Sequence, residues 1–412
     1  MLDFIGLIKK QLLLLLPLYQ RILVKRLRKK ETINVLFFAM SLSMWRYQNL
    51  YELLSRHPKF KVYIVIQPAI NYSENQQKED IDKLVCFFNE QKIPFIIGLD
   101  DNGVPIDIRK IISPDILFYP QPYNGYYPDA LKYNNFYDKL LCYYPYAFWM
   151  SKGDWSYNQP LHKTAWKLFY PTELHKKDAV TYSMRKGKNM EVVGYPTADD
   201  FLSGHYLDNW IHQEVPKKRL IWAPHFTIFP GGDVVQSNFL WMADIMIDLC
   251  QRYSDYIQFV FKPHPRLFSE LCKHSEWGEE RAALYYRRWG DMSNSQIETG
   301  EFVDLFMTSD AMIHDSGSFC VEYHYSGKPV MYIASNFKEQ LKDKNDFGKI
   351  AMNLHYVGEG EKDIIDFIEN VVLNGDDPMK PQRQQFKREY LLPPNGKTVA
   401  ENTMDVFLKA FC

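Results

Sequence analysis

From Thr32 onward, short apolar runs alternate with helix-like segments, and this alternation constrains the chain more than any other feature. "INVLFFAM" (33–40), "FKVYIVIQ" (60–67), "PFIIG" (94–98) and "DILFY" (115–119) have the β-branched and aromatic content of strands. Helix-like stretches such as "SENQQKEDIDKLVCFFNEQ" (73–91) lie between them. Strand–helix alternation implies a parallel sheet covered by helices. Residues 139–193 continue the β/α pattern and end in "MEVVGYP".

A polar stretch without sustained period, 203–217, then interrupts it, and a second alternation starts at "KRLIWAPHF". Ser237 is placed to cap a helix whose apolar face is Phe239, Leu240, Ala243, Met246, Ile247 and Cys250. The strand "IQFVFK", helical material to about Arg288, the strand "AMIHD", a helix from near Ser318 and the strand "KPVMYI" follow. Residues 361–374 and 397–411 look helical. The expected architecture is α/β, with two Rossmann-like domains facing a cleft. The boundaries read as a basic segment 1–30, a first domain 31–205, a linker 206–217, a second domain 218–396 and a C-terminal helix 397–412 that crosses back to the first domain. A chain of 412 residues, 46% hydrophobic, has material for two cores.

The net charge of −1 excludes nucleic-acid binding by bulk electrostatics. The first 30 residues nevertheless carry eight Lys or Arg and a single acid, Asp3. Their apolar run, Leu12 to Leu16, is far shorter than the about 20 residues that span a bilayer. It follows Lys9 and Lys10 as a signal-peptide core would, yet a basic block stands where a small-residue cleavage site belongs. The segment therefore reads as a cationic amphipathic helix on an anionic membrane surface, the alternative being a basic helix packed on the protein's own body. The six cysteines are scattered and form no CxxC pair, which argues against a disulfide framework or zinc knuckle and suits a cytosolic compartment. No DxD or His/Asp cluster with metal-ligand spacing stands out, so neither metal nor cofactor is expected. Asp100-Asp101 and Asp199-Asp200 read as loop charges.

Three motifs carry chemistry. In "HDSGSFCVEYHYSGKPVMYI" (314–333) a strand ends at Ile313 and a small polar turn leads into a helix. Ser316, Gly317 and Ser318 admit a ligand close to the backbone and offer N–H and hydroxyl donors to a phosphate. Glu322 lies one turn further on, placed to accept from sugar hydroxyls. In "FKPHPR" the prolines restrict Lys262 and His264 to extended backbone, so a strand-end corner holds His264 for proton handling or phosphate binding. Lys262 and Arg266 are candidates for charge neutralisation there. In "IWAPHFTIFPGG", His225 follows the first strand of the second domain, and Gly231-Gly232 suggests a flexible loop. Each has a bland reading: a helix cap, a strand-end histidine, a surface-loop histidine. Convergence of three strand ends favours a site. The tyrosine-rich run 118–149 reads equally as a stacking platform and as packing.

The 314–333 string resembles the nucleotide-diphosphate site of the GT-B superfamily, where the Ser-Gly turn holds phosphate and the Glu holds ribose. "WAPHFTI…SNFLWMAD…IQFVFKPHPRL…HDSGSFCVEYHYSGKPVMYI", with "FYPTELHKKDAV…MEVVGYPTADDF" before it, resembles the CDP-glycerol glycerophosphotransferase family of teichoic acid and capsule synthesis. The resemblance covers about residues 140–335. It implies a GT-B-like fold and a peripheral location on the cytoplasmic face of a bacterial membrane. It also implies transfer of glycerol phosphate, or a similar polyol phosphate, from a CDP-linked donor to a lipid-linked glycan or polyol-phosphate acceptor, with CMP released. By position, His264, Ser316 and Ser318 would bind diphosphate, Glu322 ribose, and His225 would handle a proton or bind phosphate. The first domain would take the acceptor and the second the nucleotide. One departure matters: where the family carries a Trp-His-Gly motif whose histidine is a candidate base, this chain reads "CYYPYAFWMSKGDW", and His162 and His175 lie only downstream. A GT-B glycosyltransferase using a nucleotide sugar, and a non-catalytic nucleotide-binding relative, are the competing readings.

Overall fold

A computed structural model describes the backbone of residues 2–100, 102–230, 237–317 and 319–412, with side chains throughout these except at 2–14. The chain forms two compact units. One comprises the chain up to Asp199 together with Tyr390–Cys412, the other Asp200–Glu389. Residues 206–217 thus run with the second unit. There the Ile211 N–H donates to Gln296 Oε1 at 2.7 Å, and Gln258 Nε2 returns a bond to the Ile211 carbonyl.

The first unit is built on a seven-stranded sheet. Its strands are β1 (Ile33–Ala39), β2 (Phe60–Ile66), β3 (Ile96–Ile97), β4 (Ile116–Tyr119), β5 (Leu140–Tyr143), β6 (Lys167–Tyr170) and β7 (Met190–Val192), in the order β3-β2-β1-β4-β5-β6-β7. The second holds β8 (Lys218–Ala223), β9 (Ile257–Phe261), β10 (Ser295–Ile297), β11 (Ala311–His314), β12 (Val330–Ile333) and β13 (Tyr356–Gly358), in the order β10-β9-β8-β11-β12-β13. All pairings are parallel. Both orders are doubly wound, with the direction of winding reversing beside the first strand, between β1 and β4 and between β8 and β11.

The central strands read most clearly in the sequence. From Val35 to Ala39 of β1, and along the whole of β4, β5 and β9, every residue is buried, as strands covered on both faces require. The helix Glu74–Glu90 starts where Ser73 accepts from the Gln76 N–H at 3.3 Å. The helix Phe239–Arg252 buries Phe239, Ala243, Met246, Ile247 and Cys250 of its expected face, with Leu240 only partly buried. Beyond β11 the helix Phe319–Glu322 tightens into a 3-10 turn, Tyr323–Ser326, and Gly327 ends it at φ +69°, a left-handed position that favours glycine.

Most of the tyrosine-rich run is core. Tyr119, Tyr127, Tyr133 and Tyr143 are fully buried, while Tyr123 and Trp155, 5.4 Å apart between ring centroids, stay within reach of solvent. His162 is also core: its Nδ1 accepts from the Gln159 N–H at 3.1 Å, which places the neutral ring's proton on Nε2, 3.1 Å from the Tyr170 hydroxyl. Burial draws both His162 and His175 down to about 3, so each is neutral and enclosed.

The N-terminal segment is a helix, Leu2–Arg28. It packs on the body of its own unit through Leu16, Gln20, Leu23 and Leu27, spaced at helical intervals. Gln20 Nε2 donates to the Thr164 carbonyl at 2.8 Å. The Arg28 guanidinium donates to the carbonyls of Lys409 and Ala410 at 2.9–3.1 Å, a cation at the C-terminal end of the helix Val399–Phe411. Leu15, Leu18, Tyr19 and Ile22 are exposed on the remaining surface, with Arg21, Lys25 and Arg26. Among the described residues no helix is long and apolar enough to cross a membrane.

The helix Val399–Phe411 belongs to the first unit, where Phe407 packs 5.8–5.9 Å from the rings of Phe60, Phe118 and Trp166. Asp199 is not a mere loop charge: its carboxylate accepts from the N–H groups of Val399 and Ala400 at 2.7 and 3.1 Å. Gly194, in "MEVVGYP", sits at φ +103°, and a Cβ there would lie 2.8 Å from Val399 Cγ2 and 3.0 Å from Pro393 Cβ. Left-handed strain and overpacking each cost about 1–3 kcal/mol. Gly194→Ala is therefore expected to lower unfolding stability by about 2–4 kcal/mol in a denaturant titration. A loss under about 0.5 kcal/mol would contradict the packing of the C-terminal helix against this turn.

Candidate functional site

The three motifs meet at one sheet edge. β8, β9 and β11 are adjacent and parallel, so His225, His264 and the turn 315–317 all leave the sheet at its carboxyl end. The β8–β11 boundary is where the winding reverses, the position at which open α/β sheets leave a crevice for ligands.

Asp315 binds these strand ends together. The His225 N–H donates to its Oδ1 at 2.6 Å, while Ser237 Oγ and the Asn238 N–H donate to its Oδ2 at 2.8 and 2.6 Å. Asn238 Nδ2 donates in turn to the Ile333 carbonyl at the end of β12, 2.9 Å away. Burial pushes the Asp315 carboxyl up, against the pull of its donors. This aspartate was legible only as part of a small polar turn; nothing in the spacing marked it as the hub. Ser237, expected as a helix cap, accepts from the Phe239 N–H at 3.2 Å while its own hydroxyl goes to Asp315.

The "KPHPR" corner is held from both sides. The His264 N–H donates to the Pro224 carbonyl at 3.1 Å, which joins the ends of β9 and β8 beyond their ladder. His264 Nδ1 accepts from the Arg266 N–H at 3.1 Å. A nitrogen that accepts carries no proton, so the neutral ring bears its hydrogen on Nε2, which has no protein partner among the described residues. The His225 and His264 rings lie 5.0 Å apart, edge to face, with Phe226 4.4 Å from each. Arg266 stacks over Phe226 at 4.2 Å and pairs with Glu270 at 3.4 Å. His225 Nδ1 is 2.9 Å from Thr227 Oγ1.

Both rings are half-buried beside a fixed cation. Burial first, then the Arg266 charge, lowers His225 to about 4. Burial, then His225 and Arg266, lowers His264 to about 3. Neither is a cation near neutral pH in the free protein. His264 offers an anion a neutral Nε2–H donor, and Arg266 supplies the full positive charge.

The other predicted residues divide. Ser316 is buried; its carbonyl accepts from His314 Nδ1 at 3.0 Å, and its hydroxyl has no partner among the described residues. Gly317 is exposed and a Cβ there would meet open space, so the fold itself does not require glycine at this position. Glu322 is buried at the end of the helix Phe319–Glu322. Lys262 does not join the histidines: its ammonium is buried and donates to the Gly300 carbonyl at 2.7 Å. Burial lowers it to about 8, opposed by Glu298 and Glu301. Ser318 and the Gly231-Gly232 pair lie outside the described residues.

No family model matches the chain, and no curated protein matches it in sequence. Solved structures do. The wall teichoic acid polymerase TagF, in a variant soaked with CDPG, superposes with a TM-score of 0.60 at 12% identity, over 93% of this chain and 89% of that one. A UDP-GlcNAc 2-epimerase from Neisseria meningitidis bound to UDP-GlcNAc gives 0.56 at 12% identity, over 92% and 100%. That from Methanocaldococcus jannaschii gives 0.52 at 14%, over 92% and 99%. Identities this low speak to fold alone, and the fold they share with this chain is an α/β architecture of two units, each on a parallel, Rossmann-like sheet.

Proposed function

We propose that the protein is a transferase that moves glycerol phosphate, or a similar polyol phosphate, from CDP-glycerol to an acceptor hydroxyl in cell-surface polymer synthesis. The observation that carries the reading is the meeting of His225, His264 and the Ser316-Gly317 turn at the winding reversal of one sheet, locked by Asp315. The "FKPHPR" and "HDSGSFCVE" strings favour a CDP-alcohol donor, and the TagF structures among the neighbours support it.

In this reading the acceptor oxygen attacks the phosphorus attached to glycerol. The bond from that phosphorus to the bridging oxygen breaks, and CMP leaves with the bridging oxygen. Little covalent work falls to the protein; positioning and neutralisation of developing charge do most of it. His264 Nε2–H and the Ser316 hydroxyl donate to diphosphate oxygens. Arg266 sets a positive potential, and Glu322 takes the ribose hydroxyls. Backbone N–H groups spent on Asp315 are lost to the ligand, which raises the share carried by His264 and Ser316. His225, neutral beside them, is the candidate to receive the acceptor's proton. No resident metal or cofactor enters this scheme. The acceptor falls to the first unit, whose Tyr123 and Trp155 offer partly exposed rings for a polyol or glycan.

A nucleotide-sugar enzyme is the second reading, favoured by the epimerases among the structural neighbours. Thermal shift separates the two. CDP-glycerol should raise the melting point more than UDP-sugars at equal concentration; a shift by UDP-sugars alone overturns the CDP-alcohol reading.

The membrane reading is carried forward as part of the same proposal. Exposed Leu15, Leu18 and Ile22 alongside Arg21, Lys25 and Arg26 fit a surface-lying face, on the side of the helix away from the body. Each basic residue near an anionic surface contributes about 1 kcal/mol. Lys25→Glu with Arg26→Glu should weaken sedimentation with phosphatidylglycerol vesicles at least about tenfold, leaving donor binding unchanged. Equal binding to neutral vesicles would argue against the electrostatic part.

Two further outcomes follow from the site. Because His225 and His264 titrate at about 4 and 3, kcat/KM for the donor should show no inflection at the ordinary histidine value of about 6.5. Its acid limb should lie below pH 5, and an inflection near 6.5 that vanishes in His264→Gln would contradict the neutral-donor role. Gly317→Ala should leave the melting point within a degree or so of wild type yet weaken the donor about tenfold or more, since only a ligand would meet the new methyl. Unchanged affinity would remove the turn from the seat.

A further inference from the structure

Behind the Ser316-Gly317 turn lies a buried group of ionisable side chains that the proposed chemistry does not use. His314 ends β11, Cys320 lies in the helix that follows, His324 in the next turn, and His355 immediately precedes β13. All four are almost completely buried, at 0–3% exposure. The candidate ligand atoms of His314, Cys320 and His355 lie within 4.8 Å of one another.

The hydrogen bonds fix the tautomers. His314 Nδ1 faces the Ser316 carbonyl at 3.0 Å, and His355 Nδ1 faces the carbonyls of Ala351 and Met352 at 3.2 Å. His324 Nε2 faces the Ala351 carbonyl at 3.0 Å. A carbonyl only accepts, so each of these nitrogens carries the ring's hydrogen. The opposite nitrogens, His314 Nε2, His355 Nε2 and His324 Nδ1, are bare lone pairs buried without a partner. The rings are neighbours: centroids of His314 and His324 lie 5.3 and 4.8 Å from that of His355. Two such rings gathered with the Cys320 sulfur within 4.8 Å, and a third ring beside His355, call for something electron-poor among them.

We propose that this pocket is a binding site for a transition metal of the zinc class, held by His314, His355 and Cys320, with His324 or a water in the fourth position. Imidazole nitrogen with thiolate sulfur is the donor set that suits such ions. A ligating histidine characteristically gives its other N–H to a backbone carbonyl, which orients the ring, and all three histidines do so here. Tetrahedral zinc, with bonds of about 2.0–2.3 Å, needs donor atoms about 3.4–3.6 Å apart, so the ligands close by about 1 Å around the ion. Cys320 gives its thiol proton to solvent when it binds. The site is closed and lies behind the turn, which makes it a structural brace. His314 and Cys320 already bond the Ser316 carbonyl, and the ion would hold β11, the turn and β13 in one register. The expectation of no metal rested on sequence spacing, and positions 314, 320, 324 and 355 show no recognisable spacing until the sheet brings them together.

The test is metal content, independent of any transferase activity. Chain produced in zinc-supplemented medium and freed of loose metal by gel filtration should carry about one zinc per molecule by plasma mass spectrometry. Loading with Co2+ should give a cobalt–thiolate charge-transfer band and the visible d–d absorption of a tetrahedral centre. Cys320→Ser should lose the thiolate band, and His355→Gln should lose stoichiometric metal, with circular dichroism unchanged. Folded wild-type chain that holds no stoichiometric zinc and shows no cobalt–thiolate band overturns the proposal, whatever the variants do.

Discussion

The second unit depends on one carboxylate. Asp315 takes hydrogen bonds from the loop after β8, from Ser237 and from the start of the helix Phe239–Arg252. Strand pairing alone brings β8, β9 and β11 side by side but leaves the loops beyond their ends free to choose a path. Asp315 makes that choice for two of them, and the His264 N–H to Pro224 carbonyl bond makes it for the third. A charged group this deeply buried persists because its donors are already in place. Each charge-assisted bond contributes about 1.5–3 kcal/mol, against a desolvation penalty of several kcal/mol.

That arrangement shapes the electrostatics around it. The prolines and the Pro224 carbonyl hold His264 close to His225, and crowding with Phe226 desolvates both rings. Arg266, stacked on Phe226, keeps a permanent charge beside them. The outcome is a rim of one fixed cation and two neutral imidazoles, suited to donating hydrogen bonds to an anion without holding a proton that must first be lost. Lys262, two residues before His264, takes no part in this rim: its ammonium is buried and donates to the Gly300 carbonyl.

Legibility in the sequence followed burial and local chemistry. Central strands such as β1 and β9 are continuous apolar runs, and their residues announced both the sheet and its parallel character. The edge strands β10 and β13 went unseen: "SQI" and "YVG" are three residues each, polar or glycine-containing, and only pairing to a neighbour makes them strands. His225, His264 and the Ser-Gly turn were legible because each follows a recognisable strand. Asp315 as a hub was not, since its partners at 225, 237 and 238 lie 77–90 residues away. The burial of Lys262, the capping role of Asp199 and the cluster around His355 were hidden for the same reason: each is a long-range contact with no local signature. The N-terminal helix showed its basic residues plainly, but not that Leu16, Gln20, Leu23 and Leu27 would settle on the body of the protein.

The central claim is that the carboxyl edge of the second unit is where a nucleotide diphosphate sits, and hydrogen exchange tests it most directly. Amide exchange followed by mass spectrometry, with and without saturating CDP-glycerol and with UDP-GlcNAc in parallel, would map the contact. The prediction is slowed exchange under CDP-glycerol in the segments containing His225, His264 and Ser316-Gly317 together. Protection confined to other segments, or none with either nucleotide, would contradict it.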